Sequence, residues 1–295
     1  MNRLIVPVFL LVLLTACVTK GQQTPAALPA SPPWRTVSLH ESARIAQEPL
    51  RLDWMNDIVR EATLETVAEM GGESVDEDLV WVTAIDVRDP YDPRMGSYRG
   101  YERVYPASVV KLCYMVMAYD LNRTRGLELD ASFMEDIRDM IVVSSNVATN
   151  AVLDRITNTN YGPELDARAA ESFARKRNSV ADYFASLGLE GLFPVNKTYD
   201  GQTPFYGRDP QFLGARKRGW DRLGGGYEFS NKMTTDDTAR LLYLIWRGAV
   251  VDPAACGEML SIMKRTDEAR TFFSKIVPEG ATLYSKGGST GVQRH

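Results

Sequence analysis

The stretch YPASVVKLCYMVMAY, residues 105–119, places one lysine, Lys111, in an otherwise apolar run three residues after Ser108. Pro106 and the small Ala107 precede the serine, so the pattern predicts that Ser108 lies in the first turn of a helix, where unpaired backbone N–H groups point. Lys111 is one turn further along and shares that face. Burial and the positive end of the helix dipole both disfavour its ammonium form. The stretch therefore predicts an amine that can accept a proton from the neighbouring hydroxyl.

A Ser-x-x-Lys tetrapeptide is by itself a weak signal, because it occurs twice in this chain. The second copy is SIMK, from Ser261 to Lys264. Either lysine could instead lie along an amphipathic helix with its ammonium group in water. Only the first copy is followed by VVSSNVATN, residues 142–150, and then by YSKGGST, residues 284–290. SSN is also typical of a capped helix start and KGG of a turn, so their shared order is what favours a functional site.

In this order the three motifs resemble the signatures of the active-site serine β-lactamases and penicillin-binding D,D-peptidases, most closely the class A β-lactamase-like hydrolases. The matching residues are Ser108-Val109-Val110-Lys111, Ser144-Ser145-Asn146 and Lys286-Gly287-Gly288. The resemblance extends from about Trp54 to the end of the sequence. It implies an α+β fold of the β-lactamase/transpeptidase type, in which an antiparallel sheet is flanked by helices and carries an inserted all-α lobe.

The resemblance also implies a role for each matching residue. Ser108 would attack a carbonyl carbon and become acylated, and Lys111 would take its proton. Ser144 would pass a proton to the leaving nitrogen, while Asn146 would hold a substrate amide and help to orient Lys111. Lys286 would place positive charge near Ser144 and a substrate carboxylate.

The third motif would complete the substrate-binding site. The resemblance implies that Gly288 and Ser289 bind substrate, and that the backbone N–H groups of Ser108 and Ser289 form an oxyanion hole. Loss of one such donor typically costs about 2.7 to 4 kcal/mol in the transition state. The implied activity is opening of a β-lactam or a related peptide amide through an acyl-serine, with no cofactor and no metal. Two alternatives are a D,D-peptidase or esterase acting on cell-wall peptides or small esters, and a non-catalytic envelope lipoprotein that retains the fold.

Several positions depart from the family pattern. Ser145 stands where class A enzymes usually carry aspartate, and Gly287 replaces a threonine or serine. The first two motifs are 36 residues apart (144 minus 108), which predicts a shortened helical lobe. The glutamate that activates the deacylating water should lie within residues 188–226, yet only Glu190 is offered there as a candidate, at the wrong spacing. An acyl-enzyme without that base is expected to persist.

Composition excludes other classes of site. The chain has 295 residues, a formal net charge of -4 with both signs mixed throughout, and only two histidines, His40 and His295. This pattern gives no electrostatic footprint for nucleic acid, and it disfavours a zinc site or a Ser-His-Asp triad. Cys113 and Cys256 could pair in an oxidising compartment or stay buried as free thiols.

The N-terminus is typical of an exported protein. Residues 1–17 combine an early arginine, a short apolar run and the sequence LTAC, which resembles the lipobox of bacterial lipoproteins and predicts lipidation of Cys17. Residues 18–33 are polar and rich in proline, as in a flexible tether. The prediction is a lipid-anchored monomer on the outer side of a bacterial membrane, with a small-molecule substrate.

Residues 34–295 are predicted to form one hydrolase domain, with an α/β lobe made of residues 34–107 and 230–295 and a helical lobe of residues 108–229. Only seven residues follow Gly288 (295 minus 288), so we expect the last two strands and the C-terminal helix of the family to be missing. Apolar spacing predicts helices over residues 50–70, 108–122, 132–143, 146–157, 164–187, 234–248 and 254–266. Strands are predicted over residues 78–87, 101–105 and 281–290, and a turn is predicted over residues 88–100.

Overall fold

The computed structural model describes residues 48–69, 77–199, 207–213, 230–265 and 281–289. The described elements are β1 (Leu50–Arg51), α1 (Asp53–Glu69), β2 (Val82–Asp86), β3 (Arg94–Tyr98), α2 (Lys111–Arg125), α3 (Ala131–Val142), α4 (Asn146–Thr157), α5 (Ala167–Ser186), α6 (Arg208–Leu213), α7 (Thr235–Trp246) and α8 (Pro253–Met263). The chain is therefore α+β. Cys17, the predicted tether and both histidines lie outside the described residues.

Side-chain caps fix where five helices begin. In each case the residue before the helix accepts a hydrogen bond from a backbone N–H one turn on, which satisfies a donor that the helix itself leaves unpaired. The caps are Asp130, Ser145, Asp166, Thr234 and Asp252. All seven predicted helices are present, and the helix predicted over residues 146–157 has those bounds.

The sheet differs from the sequence prediction. Its order is β1-β3-β2, with β2 antiparallel to β3 and β1 parallel to β3. The second long strand is Arg94–Tyr98, and the prediction of a strand over residues 101–105 was wrong. There, only Val104 forms a bridge, to Met233. Gly96 made the true strand look like a turn, but a Cβ at this position would lie 2.3 Å from the Met55 carbonyl carbon, because α1 packs directly on the sheet.

Helix α2 lies at the centre of the core. Every residue from Lys111 to Leu121 is buried, which explains why its apolar run shows no polar face. Helices α3, α4, α5, α7 and α8 contribute buried side chains to the same cluster. Cys113 and Cys256 are both buried in it and both are free, so they do not pair. No described helix combines the length and apolarity needed to cross a membrane.

The segment with the third motif is extended but does not join the sheet within the described residues. Within the described residues, the strand predicted over residues 281–290 is present only as isolated bridges at Tyr284 and Ser289, and residue 290 lies outside them. Tyr284 forms an isolated antiparallel bridge with Lys264, just after α8. Two backbone hydrogen bonds reinforce it, from Arg265 N to Leu283 O at 2.8 Å and from Ser285 N to Met263 O at 3.0 Å. The end of α8 thus supports the residues that lead into Lys286.

Candidate active site

Ser108 lies in a tight turn that leads into α2. The turn is a 3₁₀ helix from Ala107 to Val110, and the Val109 N–H donates to Pro106 O at 3.0 Å. Ala107 has a φ of 46°, a left-handed conformation that costs a non-glycine residue of the order of 1 to 3 kcal/mol and that is concentrated at functional sites. The prediction that Ser108 falls in the first turn of a helix is confirmed, in a 3₁₀ rather than an α-helical turn.

Gly288 brings the third motif against the Ser108 turn. A Cβ at position 288 would lie 2.7 Å from the Ser108 backbone nitrogen and 3.0 Å from Pro106 O. Any larger residue would have to displace backbone, since neither contact is with a flexible side chain. The extended segment therefore passes directly beside the backbone N–H of Ser108. Ser289, the next residue, is exposed.

Lys111 is fully buried, with a side chain that is 0% exposed. Its Nζ donates to Ser144 O at 2.6 Å, to Asn146 Oδ1 at 2.8 Å and to Ser144 Oγ at 3.1 Å. Among the described residues, no hydrogen bond joins this amine to the hydroxyl of Ser108. The sequence predicted a direct pair of Ser108 and Lys111, and the structure instead ties the amine to the second motif.

The second motif presents one hydroxyl to two amines. Ser144 has a φ of 59°, and Ser145 caps α4, so the chain reverses sharply between α3 and α4. Ser144 Oγ accepts from Lys111 Nζ at 3.1 Å and from Lys286 Nζ at 2.9 Å. The partly buried Lys286 also donates to Gly287 O at 2.6 Å. Three motifs that are far apart in sequence therefore meet around the Ser144 hydroxyl.

The two lysines carry lowered pKa values. Burial lowers the pKa of Lys111 to about 8. Burial is also the main cause that lowers the pKa of Lys286 to about 7, and the positive charges of Lys111 and Arg265 add to the effect. Because the two amines share one hydroxyl, they titrate as a pair. Between about pH 7 and pH 8 the pair holds one proton, which leaves one free amine.

The segment of residues 195–199 lies along α4 beside the second motif. Asn146 Nδ2 donates to Tyr199 O at 2.5 Å, so this side chain links Lys111 to the segment. One turn further along α4, Asn150 donates to Thr198 O and accepts from Thr198 N, both at 3.0 Å. Asn150 was not predicted from the sequence. The signal was present, since Asn146 and Asn150 are spaced four residues apart on one helix face.

No carboxylate is hydrogen-bonded to the Ser144 hydroxyl within the described part of the chain. Nor is any carboxylate hydrogen-bonded to Lys111, Asn146 or Lys286 there. Glu190, the candidate base, is exposed, and its described contact is a backbone one, from the Arg103 guanidinium to Glu190 O at 2.6 Å. The described residues also contain no group of three or more histidine, cysteine or acidic side chains able to hold a metal ion.

Comparison with known proteins places the geometry in a family context. Residues 132–295 match the family described as the beta-lactamase enzyme family, a region that holds the second and third motifs. Among curated proteins, none matches the chain.

Several solved structures resemble this one. A beta-lactamase from Sphaerobacter thermophilus DSM 20745 is 17% identical with a TM-score of 0.50, covering 81% of this chain and 80% of that chain. A beta-lactamase from Chitinophaga pinensis DSM 2588 is 16% identical with a TM-score of 0.51, covering 79% and 78%. The extended-spectrum beta-lactamase TLA-1 is 12% identical with a TM-score of 0.53, covering 80% and 79%. At these identities the likeness shows the fold.

Proposed function

The chain belongs to the beta-lactamase enzyme family, and from this premise we propose that it is a serine hydrolase that opens a β-lactam or a related amide through an acyl-Ser108 intermediate. One observation carries the proposal. Ser144 Oγ lies 3.1 Å from Lys111 Nζ and 2.9 Å from Lys286 Nζ, so a hydroxyl connects a buried amine to a second amine beside the Ser108 turn. This arrangement can both remove and deliver a proton.

In the proposed reaction, Ser108 Oγ attacks the amide carbonyl carbon while its proton moves to the free amine of Lys111. The developing oxyanion lies against the backbone N–H groups of Ser108 and Ser289. When the C–N bond breaks, Ser144 gives its proton to the leaving nitrogen and regains one from Lys111. The reacting form is the one in which the single proton of the pair is on Lys286, which is then positively charged beside Ser144 and binds a substrate carboxylate. With pKa values of about 8 for Lys111 and about 7 for Lys286, this is the less populated of the two one-proton forms. The proton taken from the nucleophile thus ends on the leaving group, and Lys111 returns to its starting state.

A D,D-peptidase or esterase is the second candidate function. It is favoured by the absence of a carboxylate hydrogen-bonded to the two lysines, Ser144 or Asn146 within the described residues. Hydrolysis of an acyl-serine needs a base that activates water. An acyl-enzyme formed from a β-lactam at a site that has no such base is long-lived, whereas a fast β-lactamase releases its product.

The cellular setting belongs to the same proposal. We infer a small-molecule substrate, either a β-lactam or a peptide amide, and export with lipidation at Cys17. The family supports the substrate class, and the sequence of residues 1–17 supports export and the lipid anchor. Metabolic labelling with a radioactive fatty acid tests the anchor, because Cys17→Ser should remove the label.

Covalent labelling with a fluorescent penicillin tests the function. The expected result is a labelled band for the wild type and for Ser261→Ala, and none for Ser108→Ala. A chromogenic cephalosporin then separates the candidates: fast turnover indicates a β-lactamase, and a stable adduct indicates a peptidase or esterase. A folded wild-type protein that forms no adduct dependent on Ser108 would overturn the proposal in favour of a binding module.

A further inference from the structure

Arg265 joins the support of the third motif to the end of α3. It follows α8 directly, and its side chain is partly buried. The guanidinium donates through Nε to Ser285 Oγ at 3.0 Å and through Nη2 to Ser285 O at 2.8 Å. Ser285 is the residue before Lys286, so these two bonds hold the backbone from which the second amine projects.

The same guanidinium also contacts the end of α3, just before the second motif. Its Nη1 donates to Val142 O at 3.2 Å and its Nη2 to Ile141 O at 3.3 Å. These are among the last carbonyl groups of α3, which have no partner within the helix. Ser144 follows Val142 by two residues. One planar side chain therefore spans the two segments that carry Ser144 and Lys286.

We propose that Arg265 is a positioning residue that holds the Ser144 turn and the Lys286 segment at the separation at which both lysines reach one hydroxyl. The inference rests on the proposed function for its catalytic meaning. A guanidinium suits this task because its five donors have a fixed planar geometry, and a lysine could contact only one of the two segments well.

The positive charge of Arg265 has a second effect, which acts on the Lys286 amine. In the described part of the chain, the charged groups that act on Lys286 are Lys111 from α2 and Arg265 from the end of α8, and both lower the pKa of Lys286. Arginine stays protonated in proteins. Arg265 thus opposes a second positive charge beside Ser144 without itself contacting the hydroxyl.

Arg155 provides a matched control. It too is a partly exposed arginine that donates to the backbone carbonyl of a neighbouring segment, Glu128 O at 2.9 Å, and it pairs with Asp130. These contacts lie at the beginning of α3, whereas Arg265 contacts its end. Its replacement removes a carbonyl hydrogen bond and an ion pair without touching the three motifs.

The first measurement is the rate of acylation by a fluorescent penicillin. Arg265→Lys keeps the positive charge but loses the planar set of donors that contacts both segments. We therefore expect the acylation rate to fall by about 10- to 100-fold, the loss typical of a reacting group displaced by up to 1 Å. Arg265→Gln should fall at least as far. Arg155→Lys and Arg155→Gln should stay within about twofold of wild type, because they lie far from the chemistry. A wild-type rate in Arg265→Lys would overturn the inference.

The second measurement does not depend on activity. An NMR titration of the Lys286 ε-methylene group, assigned with Lys286→Met, reports its pKa in each variant whose fold is verified by circular dichroism. Arg265→Lys keeps the positive charge at this position. A Lys286 pKa that rises above about 7 in this variant therefore reports that Lys286 is less buried and that the separation between the Ser144 turn and the Lys286 segment has changed. An unchanged pKa in this variant would overturn the inference. If the wild type forms no adduct, the proposed function fails while this titration still decides the role of Arg265.

Discussion

The Ser-x-x-Lys pattern occurs at two places in this molecule, and the structure gives the two copies opposite surroundings. Ser108 to Lys111 lies at the beginning of α2, where Lys111 is 0% exposed and donates to three acceptors of the second motif within 3.1 Å. Ser261 to Lys264 lies at the end of α8, where Ser261 and Lys264 are both exposed. The same four-residue pattern therefore yields a buried amine in one place and a surface side chain in the other.

The difference teaches that helix position and tertiary partners decide the chemistry of such a pattern. A cation is disfavoured at a helix N-terminus and favoured at a C-terminus. Lys111 lies at the unfavourable end and is also buried, and burial lowers its pKa to about 8. Lys264 lies at the favourable end, next to water. Only the first copy buries its lysine beside the second motif, and the following predictions test this contrast.

The largest effect is expected from the serines. Ser108→Ala removes the nucleophile, so no penicillin adduct should form, as measured by the mass of the intact protein after incubation. Ser261→Ala should form the adduct to the same extent as wild type. An adduct that survives in Ser108→Ala, or that disappears in Ser261→Ala, would remove the distinction between the copies.

The lysines should differ almost as strongly. Lys111→Ala removes the proposed general base, which typically contributes about 100- to 10,000-fold to a rate. Stopped-flow measurement of acylation should show a loss in that range. Lys264→Ala should leave the rate unchanged, since that side chain is exposed on the other copy. Equal losses in both variants would contradict the assignment of the base.

The pH dependence of acylation sharpens the comparison further. The rate should rise as pH increases through about 7, because the Lys111 and Lys286 pair then loses the first of its two protons. It should fall above about pH 8, as the pair loses its last proton and Lys286 its charge. Lys264→Ala should keep this bell-shaped profile, and Lys286→Met should change it. A rate that is constant from acid to alkaline pH would exclude the lysine pair.

A smaller effect is expected from two glycines, one near each copy. Gly288→Ala places a Cβ 2.7 Å from the Ser108 nitrogen, so acylation should slow as the oxyanion site is distorted. Gly257 lies in α8 with open space around it, and Gly257→Ala should stabilise the protein by about 0.4 to 1 kcal/mol in thermal unfolding. Normal acylation in Gly288→Ala would show that the third motif does not constrain the nucleophile.

The fold class, the family and several helix starts could be predicted from the sequence, because they depend on short stretches of neighbouring residues. The α+β fold and the β-lactamase-like family are confirmed, because the three motifs keep their order and the caps Asp130, Ser145 and Asp166 fix helix starts through their own side chains. Strand β3 escaped prediction, since Gly96 is required by the packing of α1 rather than by a turn.

The remaining errors and omissions depend on contacts between distant residues. Two sets of hydrogen bonds form only when the chain folds. One joins Asn150 to Thr198, and the other joins Arg265 to Ile141 and Val142. The sequence also placed Lys111 beside the Ser108 hydroxyl, to which no hydrogen bond from the amine is described. The contact of Asn146 with Lys111 that the resemblance implied is present at 2.8 Å, whereas the bonds of the amine to Ser144 depend on the folded turn between α3 and α4.

The most direct test is an NMR titration of the Lys111 side-chain amine in the wild-type protein. Lys111 is expected to titrate near pH 8, well below its usual 10.5. A Lys111 amine that stays protonated up to about pH 10.5, as an exposed lysine does, would contradict the account.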